Sequence, residues 1–171
     1  MANLFEEFTA SIGSIAMYFE EVAARVDKNP VSNPPTEGDW IVVSEDRHVI
    51  VLYKDGAIVK TITSFSTGGT WHGKPHPTPT GKGFKVIQKD ADHESSLYKN
   101  PKTGRPAKMP LYVQFAPAVG FHVGDPGTAS HGCIHLTQSD AQFVFDWSHV
   151  GTTHVWVIPR QQQHKKDAKD E

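Results

Sequence analysis

Apolar residues recur along this chain in two different rhythms, and the rhythm changes at Trp40. Over residues 1–28, Leu4, Phe8, Ile12, Ile15, Phe19, Val22 and Val26 follow one another at steps of three or four. That spacing keeps one face of a helix apolar, so it predicts an N-terminal amphipathic helix packed on the domain or on a protein partner. Residues 29–38, NPVSNPPTEG, read as a Pro-rich linker, because proline ends a helix and drives its neighbours to extended backbone.

From Trp40 onward β-branched runs replace the helical period. WIVVS from Trp40, HVIVLY from His48 and AIVKTITSF from Ala57 read as strands. Lys54-Asp55-Gly56 separates the last two, and Asp-Gly between apolar runs is a hairpin signal. Ser66 to Gly83 is polar and rich in Gly, Pro and His, which reads as a loop. Phe84 to Ile87 reads as a strand, 88–108 as a charged loop, and MPLYVQF (109–115) and VGFHV (119–123) as strands joined by a Pro-containing turn. Thr137 or Ser139 caps a short helix that carries Ala141, Val144, Phe145 and Trp147 and is ended by Gly151. THVWVI (153–158) is a closing strand, and residues 160–171 read as a disordered polar tail. The expected fold is mainly β (α+β), with the domain over residues 39–159.

Composition narrows the function. A chain of 171 residues suits one ordinary domain. Lys and Arg number 17 against 19 Asp and Glu, a net charge of -2, which argues against a nucleic-acid binder. The single cysteine excludes an internal disulfide. No run reaches the ~18 uninterrupted apolar residues of a membrane span. Glu6 and Glu7 near the start are unlike an intact signal peptide, and the acidic helix is unlike an interfacial membrane helix.

The candidate chemistry centres on Cys133, within Ser130-His131-Gly132-Cys133-Ile134-His135-Leu136, with His122 eleven residues upstream. A thiol becomes a good nucleophile when a base takes its proton, and an imidazole within hydrogen-bond reach does so. Glycine before the cysteine lets a carbonyl approach the backbone, making the Gly132 and Cys133 amides candidate oxyanion donors. Two other readings of these residues stand beside this one. A lone cysteine is often a small buried hydrophobe. His122, His131, Cys133 and His135 are also ligand-type side chains, although no CxxC or HExxH spacing accompanies them.

SHGCIHL, preceded by FHVGDPGTA and followed by a short helix, closely resembles the catalytic motif of the L,D-transpeptidases, the YkuD-type family. The likeness extends to IVVSEDRHVIVLYKDGAIVKTITSFSTGG, to PTPTGKGFKV, to MPLYVQFAPAVGFHV and to TTHVWVI, so it covers roughly residues 40–158. The resemblance implies a YkuD-like β-sandwich or barrel with a short helix after the catalytic cysteine. It implies that Cys133 is the nucleophile, His122 the general base, and the Val123 carbonyl an aid to orienting that imidazole. Gly132 would lend an oxyanion amide and His131 a supporting hydrogen bond. Ser130 and His135 occupy motif positions, Tyr112 and His93 are further pocket candidates, and Trp71, in the polar loop, is a candidate contact to the stem peptide. The implied reaction is acyl exchange on peptidoglycan tetrapeptide stems, through a thioester at the diaminopimelate carbonyl with D-alanine released, and it needs no metal or organic cofactor.

Two features depart from the family pattern. The residue two after the cysteine is usually Arg or Asn, and here it is His135, which offers fewer donors. Family members act in the periplasm or at the cell surface, so the expectation is a chain that has lost its signal or leaves by a non-classical route. The His122–Ser130 loop is short, as in the shorter-loop proteobacterial envelope branch. Alternatives are an L,D-carboxypeptidase or exchange activity, including that of a secreted antibacterial cell-wall effector, and a weakened peptidoglycan-binding module.

Overall fold

Asp55 and Gly56 form a two-residue turn with φ of 49° and 83°, flanked by the register pair Lys54 and Ala57. Positive φ at both central residues matches the right-handed twist of the strands they join, β2 (Val49–Lys54) and β3 (Ala57–Ile62). The protein is described here from a computed structural model over residues 34–100 and 102–160. The expected helix over 1–28, the first half of the 29–38 linker and all but the first residue of the polar tail lie outside the described residues.

β1 (Asp39–Ser44) pairs antiparallel with β2 and parallel with β14 (His154–Ile158), and β7 (Gly81–Lys85) completes a sheet of order β3-β2-β1-β14-β7. The second sheet has the order β4-β13-β12-β11-β8, built from β4 (Phe65–Ser66), β8 (Gln88–Asp90), β11 (Tyr112–Ala116), β12 (Val119–Val123) and β13 (Ile134–Leu136). One hydrophobic cluster joins Ile41, Val43, Ile50, Leu52, Val155 and Val157 of the first sheet to Val113, Phe115, Phe121, Ile134 and Leu136 of the second. Ala141 and Val144 of α1 (Gln138–Trp147) belong to the same cluster. Two sheets and one helix around a shared core give the mainly β fold that the residue pattern predicts. Among the described residues no helix is long and apolar enough to cross a membrane.

The helix is capped as expected: the Thr137 hydroxyl accepts from the Asp140 amide at 3.2 Å. It stops earlier than Gly151, at Trp147, where Ser148 turns extended, and Gly151 (φ 81°) serves the following turn. The charged stretch 88–108, expected as a loop, contains β8 and a hairpin of β9 (Glu94–Lys99) and β10 (Pro106–Lys108). Five of the six β9 residues are exposed, so backbone pairing holds the hairpin and leaves no apolar period to read. A second hairpin, β5 (Thr70–Trp71) with β6 (Lys74–Pro75), lies in the stretch expected as a loop from Ser66 to Gly83. The strand expected from Phe84 begins at Gly81, and the one expected from Met109 begins at Tyr112, after Leu111 takes φ 57°.

Candidate active site

Strand register sets the site. β11 runs antiparallel to β12 with Val113 opposite Phe121 and Gln114 opposite Gly120. β12 runs parallel to β13 with Phe121 beside Ile134 and His122 beside His135. Side chains alternate between the faces of a strand. Phe121, Ile134 and Leu136 therefore enter the core, while His122 and His135 take the other face with Tyr112 and Gln114. Continued by one residue, the register sets Cys133 in the row of Gln114 and Gly120, diagonal to His122. This face forms the floor of a cavity of about 490 Å3, lined also by His93, Lys108, Ser130 and His131.

His122 is only 5% exposed. Its Nδ1 lies 2.8 Å from the Val123 carbonyl oxygen, which can only accept, so Nδ1 carries the hydrogen. Burial pushes the imidazole down to about 4; the Val123 bond opposes this, and His135 and His93 add to it. Near neutral pH the ring is therefore uncharged, with a lone pair on Nε2. Cys133 is 8% exposed, and its Sγ lies 3.9 Å from the Ala118 carbonyl oxygen. Burial pushes the thiol up from its ordinary value, and an amide bond from Gly120 opposes that rise. Thiol and imidazole are thus both neutral at rest.

Gly120 brings the backbone against the sulfur. A Cβ there would stand 2.5 Å from the Val113 carbonyl oxygen and 2.6 Å from the Tyr112 ring, so a side chain has no room. Tyr112 itself is buried, and its hydroxyl is pushed up, by burial first and by Cys133 second, so it stays protonated. The His93 ring stacks on Tyr112 at 4.2 Å, and His93 Nδ1 pairs with Asp90 at 3.0 Å.

The turn before Cys133 is clamped by Ser130. Its buried hydroxyl donates to the Cys133 carbonyl and accepts from the Gly132 amide at 3.0 Å. The Gly132 amide, expected as an oxyanion donor, is thereby already engaged. Gly132 takes φ 115°, and its carbonyl accepts from the buried Thr78 hydroxyl at 2.9 Å, which in turn accepts from Gly68. Thr78 is a positioning residue that sequence reasoning missed, although its Pro-Thr-Pro-Thr turn is visible in the chain.

His135 lines the cavity, but its Nδ1 is committed to the backbone, at 3.1 Å from the Thr128 carbonyl and 3.3 Å from that of Asp125. It ties the 124–130 loop to β13. Gly124 makes this possible, since a Cβ there would lie 2.6 Å from His135 Cγ. His131 stacks on Tyr98 at 4.2 Å and meets Trp71 at 4.8 Å and His76 at 5.0 Å. Burial first, then His76, His135 and His72, push His131 below its ordinary value. Trp71 is 45% exposed and touches His131 from outside, so it belongs to the rim and not to the cavity wall. Gln114, Ala118 and Lys108 line the cavity without having been singled out in the sequence. Among the described residues no group of three or more His, Cys, Asp or Glu side chains converges as a metal ion requires.

Residues 38–158 match the YkuD family profile, the L,D-transpeptidase catalytic domain. No curated protein matches the chain. Solved structures do. An L,D-transpeptidase from Stackebrandtia nassauensis shares 21% identity at a TM-score of 0.63, covering 82% of this chain and 65% of that one. An L,D-transpeptidase in complex with imipenem shares 24% identity at a TM-score of 0.58, covering 71% and 59%. An Enterococcus faecium L,D-transpeptidase shares 26% identity at a TM-score of 0.56, covering 71% and 50%. The chain thus spans half to two thirds of the length of these solved proteins.

Proposed function

This chain belongs to the L,D-transpeptidase catalytic domain family, and on that premise we propose that it is a cysteine acyltransferase acting on peptidoglycan tetrapeptide stems in the cell envelope. One observation supports the reading above others. His122, neutral and with Nδ1–H held by Val123, lies on the same sheet face and in the same cavity as Cys133.

In the proposed reaction Sγ of Cys133 attacks the carbonyl at the L-centre of diaminopimelate while Nε2 of His122 accepts the thiol proton. Attack and proton transfer are coupled, because burial disfavours a standing thiolate. The Cys133 amide holds the oxyanion; the Gly132 amide is spent on Ser130 and orients the turn. The C–N bond to D-alanine then breaks, its amine takes the proton from His122, and a thioester remains. An acceptor amine attacks the thioester, His122 receives its proton, and the thiol is regenerated. With water as acceptor, the same steps give an L,D-carboxypeptidase.

The test is mass spectrometry of disaccharide-tetrapeptide incubated with the parent chain and with Cys133→Ala. Loss of D-alanine with a cross-linked dimer, absent in the variant, is the expected result. Loss of D-alanine without a dimer assigns hydrolysis. Release by the variant, or none by the folded parent, overturns the proposal.

A further inference from the structure

Among the described residues the cavity wall holds four histidines, His93, His122, His131 and His135, and one lysine, Lys108, but no carboxylate. The bias extends along the chain. Residues 95–124 contain Lys99, Lys102, Arg105 and Lys108 and no acid, between Glu94 at the start of β9 and Asp125 after β12, in a protein whose net charge is -2. Of these four cations Lys108 lines the cavity, so the charge it brings there is opposite in sign to the net charge of the protein.

Within that wall the charge is concentrated further. Burial holds His122 uncharged near neutral pH and pushes His131 below its ordinary value. His135, standing where the family pattern has Arg or Asn, has spent Nδ1 on the Thr128 and Asp125 carbonyls and has no fork of donors left to offer. Lys108 is the lysine in the lining, and among the described residues no other Lys or Arg lines it. Glu94 is its register partner across the hairpin, yet among the described residues no ion pair joins Lys108 to any carboxylate. A stem peptide that ends in D-alanine carries carboxylates on its glutamate, on the D-centre of its diaminopimelate and at its C-terminus. Each of them is a charge-matched partner for that ammonium.

We propose that Lys108 is the carboxylate anchor of the substrate site, so that the protein selects stems with a free carboxyl group over those in which it is amidated. The inference rests on the peptidoglycan reading above. Lys108 touches neither the scissile carbonyl nor the thiol in this scheme, so it governs binding and leaves the chemical step alone.

The experiment compares four tetrapeptides: the free acid, and the amides at the glutamate α-carboxyl, at the diaminopimelate D-centre and at the terminal D-alanine. KM and kcat for D-alanine release from the first three, and for D-alaninamide release from the fourth, are measured with the parent, Lys108→Met and Lys108→Arg. The parent is expected to show about a tenfold higher KM for one of the amides, which identifies the carboxylate bound. Lys108→Met is expected to lose that preference by raising KM for the free acid about tenfold, with kcat within about twofold, and Lys108→Arg to retain it. A preference unchanged in Lys108→Met, or a loss equal for all four peptides, overturns the inference while leaving the peptidoglycan reading intact. If the parent releases nothing from any peptide, the peptidoglycan reading fails. Titration calorimetry of the same peptides with Cys133→Ala, with and without Lys108→Met, then decides the anchor by binding alone: the same ratios support it, and equal affinities or no binding overturn it.

Discussion

His122 and His135 stand side by side across the parallel pair β12–β13, ring centroids 4.9 Å apart, each with Nδ1 turned onto backbone carbonyls. The backbone thus chooses the tautomer of both rings. It leaves His122 a neutral imidazole with its lone pair on Nε2, and it makes His135 a strap on the loop that leads to Cys133. His135 also helps to lower the proton affinity of His122, since two cations so close would repel.

The acid limb of kcat/KM is expected near pH 4, not near the ordinary imidazole value of about 6.5. His122→Gln is expected to cost about 100- to 10,000-fold in kcat/KM, the usual worth of a positioned base. His135→Ala should move the limb upward by removing one lowering charge. A limb that stays near pH 6.5 in the parent contradicts the buried neutral base.

The same burial makes stability depend on pH. His122 binds a proton less readily folded than unfolded, so the unfolded state holds more protons between about pH 4 and 6.5. Stability is full above that window, falls as pH drops through it, and loses at most about 3 kcal/mol. Urea unfolding at pH 7 and pH 4 measures this, and His122→Gln is expected to flatten the difference.

Alkylation of Cys133 by iodoacetamide is expected to rise with pH into the alkaline range, because burial pushes the thiol up. A plateau of fast reaction below pH 7 would instead reveal a preformed thiolate–imidazolium pair. A β-lactam ring is an acyl electrophile, so on the proposed thiol mechanism the parent chain is also expected to gain the mass of imipenem on Cys133, with no adduct on Cys133→Ala.

Ser130→Ala removes the acceptor of the Gly132 amide and the donor to the Cys133 carbonyl in a buried turn. A loss of about 2 kcal/mol in urea unfolding is expected, with a fall in kcat exceeding any rise in KM. Ser130→Thr keeps the hydroxyl and is expected to retain most of both. Equal activity in Ser130→Ala would show that the turn holds itself.

Gly120→Ala places a methyl within 2.6 Å of the Tyr112 ring and 2.5 Å of the Val113 carbonyl oxygen. Destabilisation of about 1–3 kcal/mol is expected, together with loss of activity, because the ring and the thiol share that space. Thermal unfolding and D-alanine release check the two effects separately.

Several elements were legible because their signals are local. WIVVS and HVIVLY are continuous apolar runs, Asp55-Gly56 names its own turn, and Thr137 caps the helix it precedes. The β9–β10 hairpin was not legible, because strands exposed on both faces carry no period. β13 was not legible either, being three residues long and stabilised by neighbours far away in the chain. Trp71, expected as a substrate contact in a polar loop, lies in a short hairpin against His131 and outside the cavity lining, a placement that no local pattern shows.

By itself, then, the sequence determined the long apolar strands and where the helix after the cysteine starts, and it pointed to His122 and the Ser130–Leu136 segment as the candidate chemical centre. These depend on hydrophobic period, turn chemistry and motif, each contained within a few adjacent residues. The tertiary structure decided the rest: that register makes His122 and Cys133 diagonal neighbours, that Val123 selects the tautomer, and that the Gly132 amide is engaged by Ser130. It also decided that Lys108 reaches the cavity wall. Each of these depends on pairing and burial between segments distant in the chain, and no local pattern encodes which strand lies beside which.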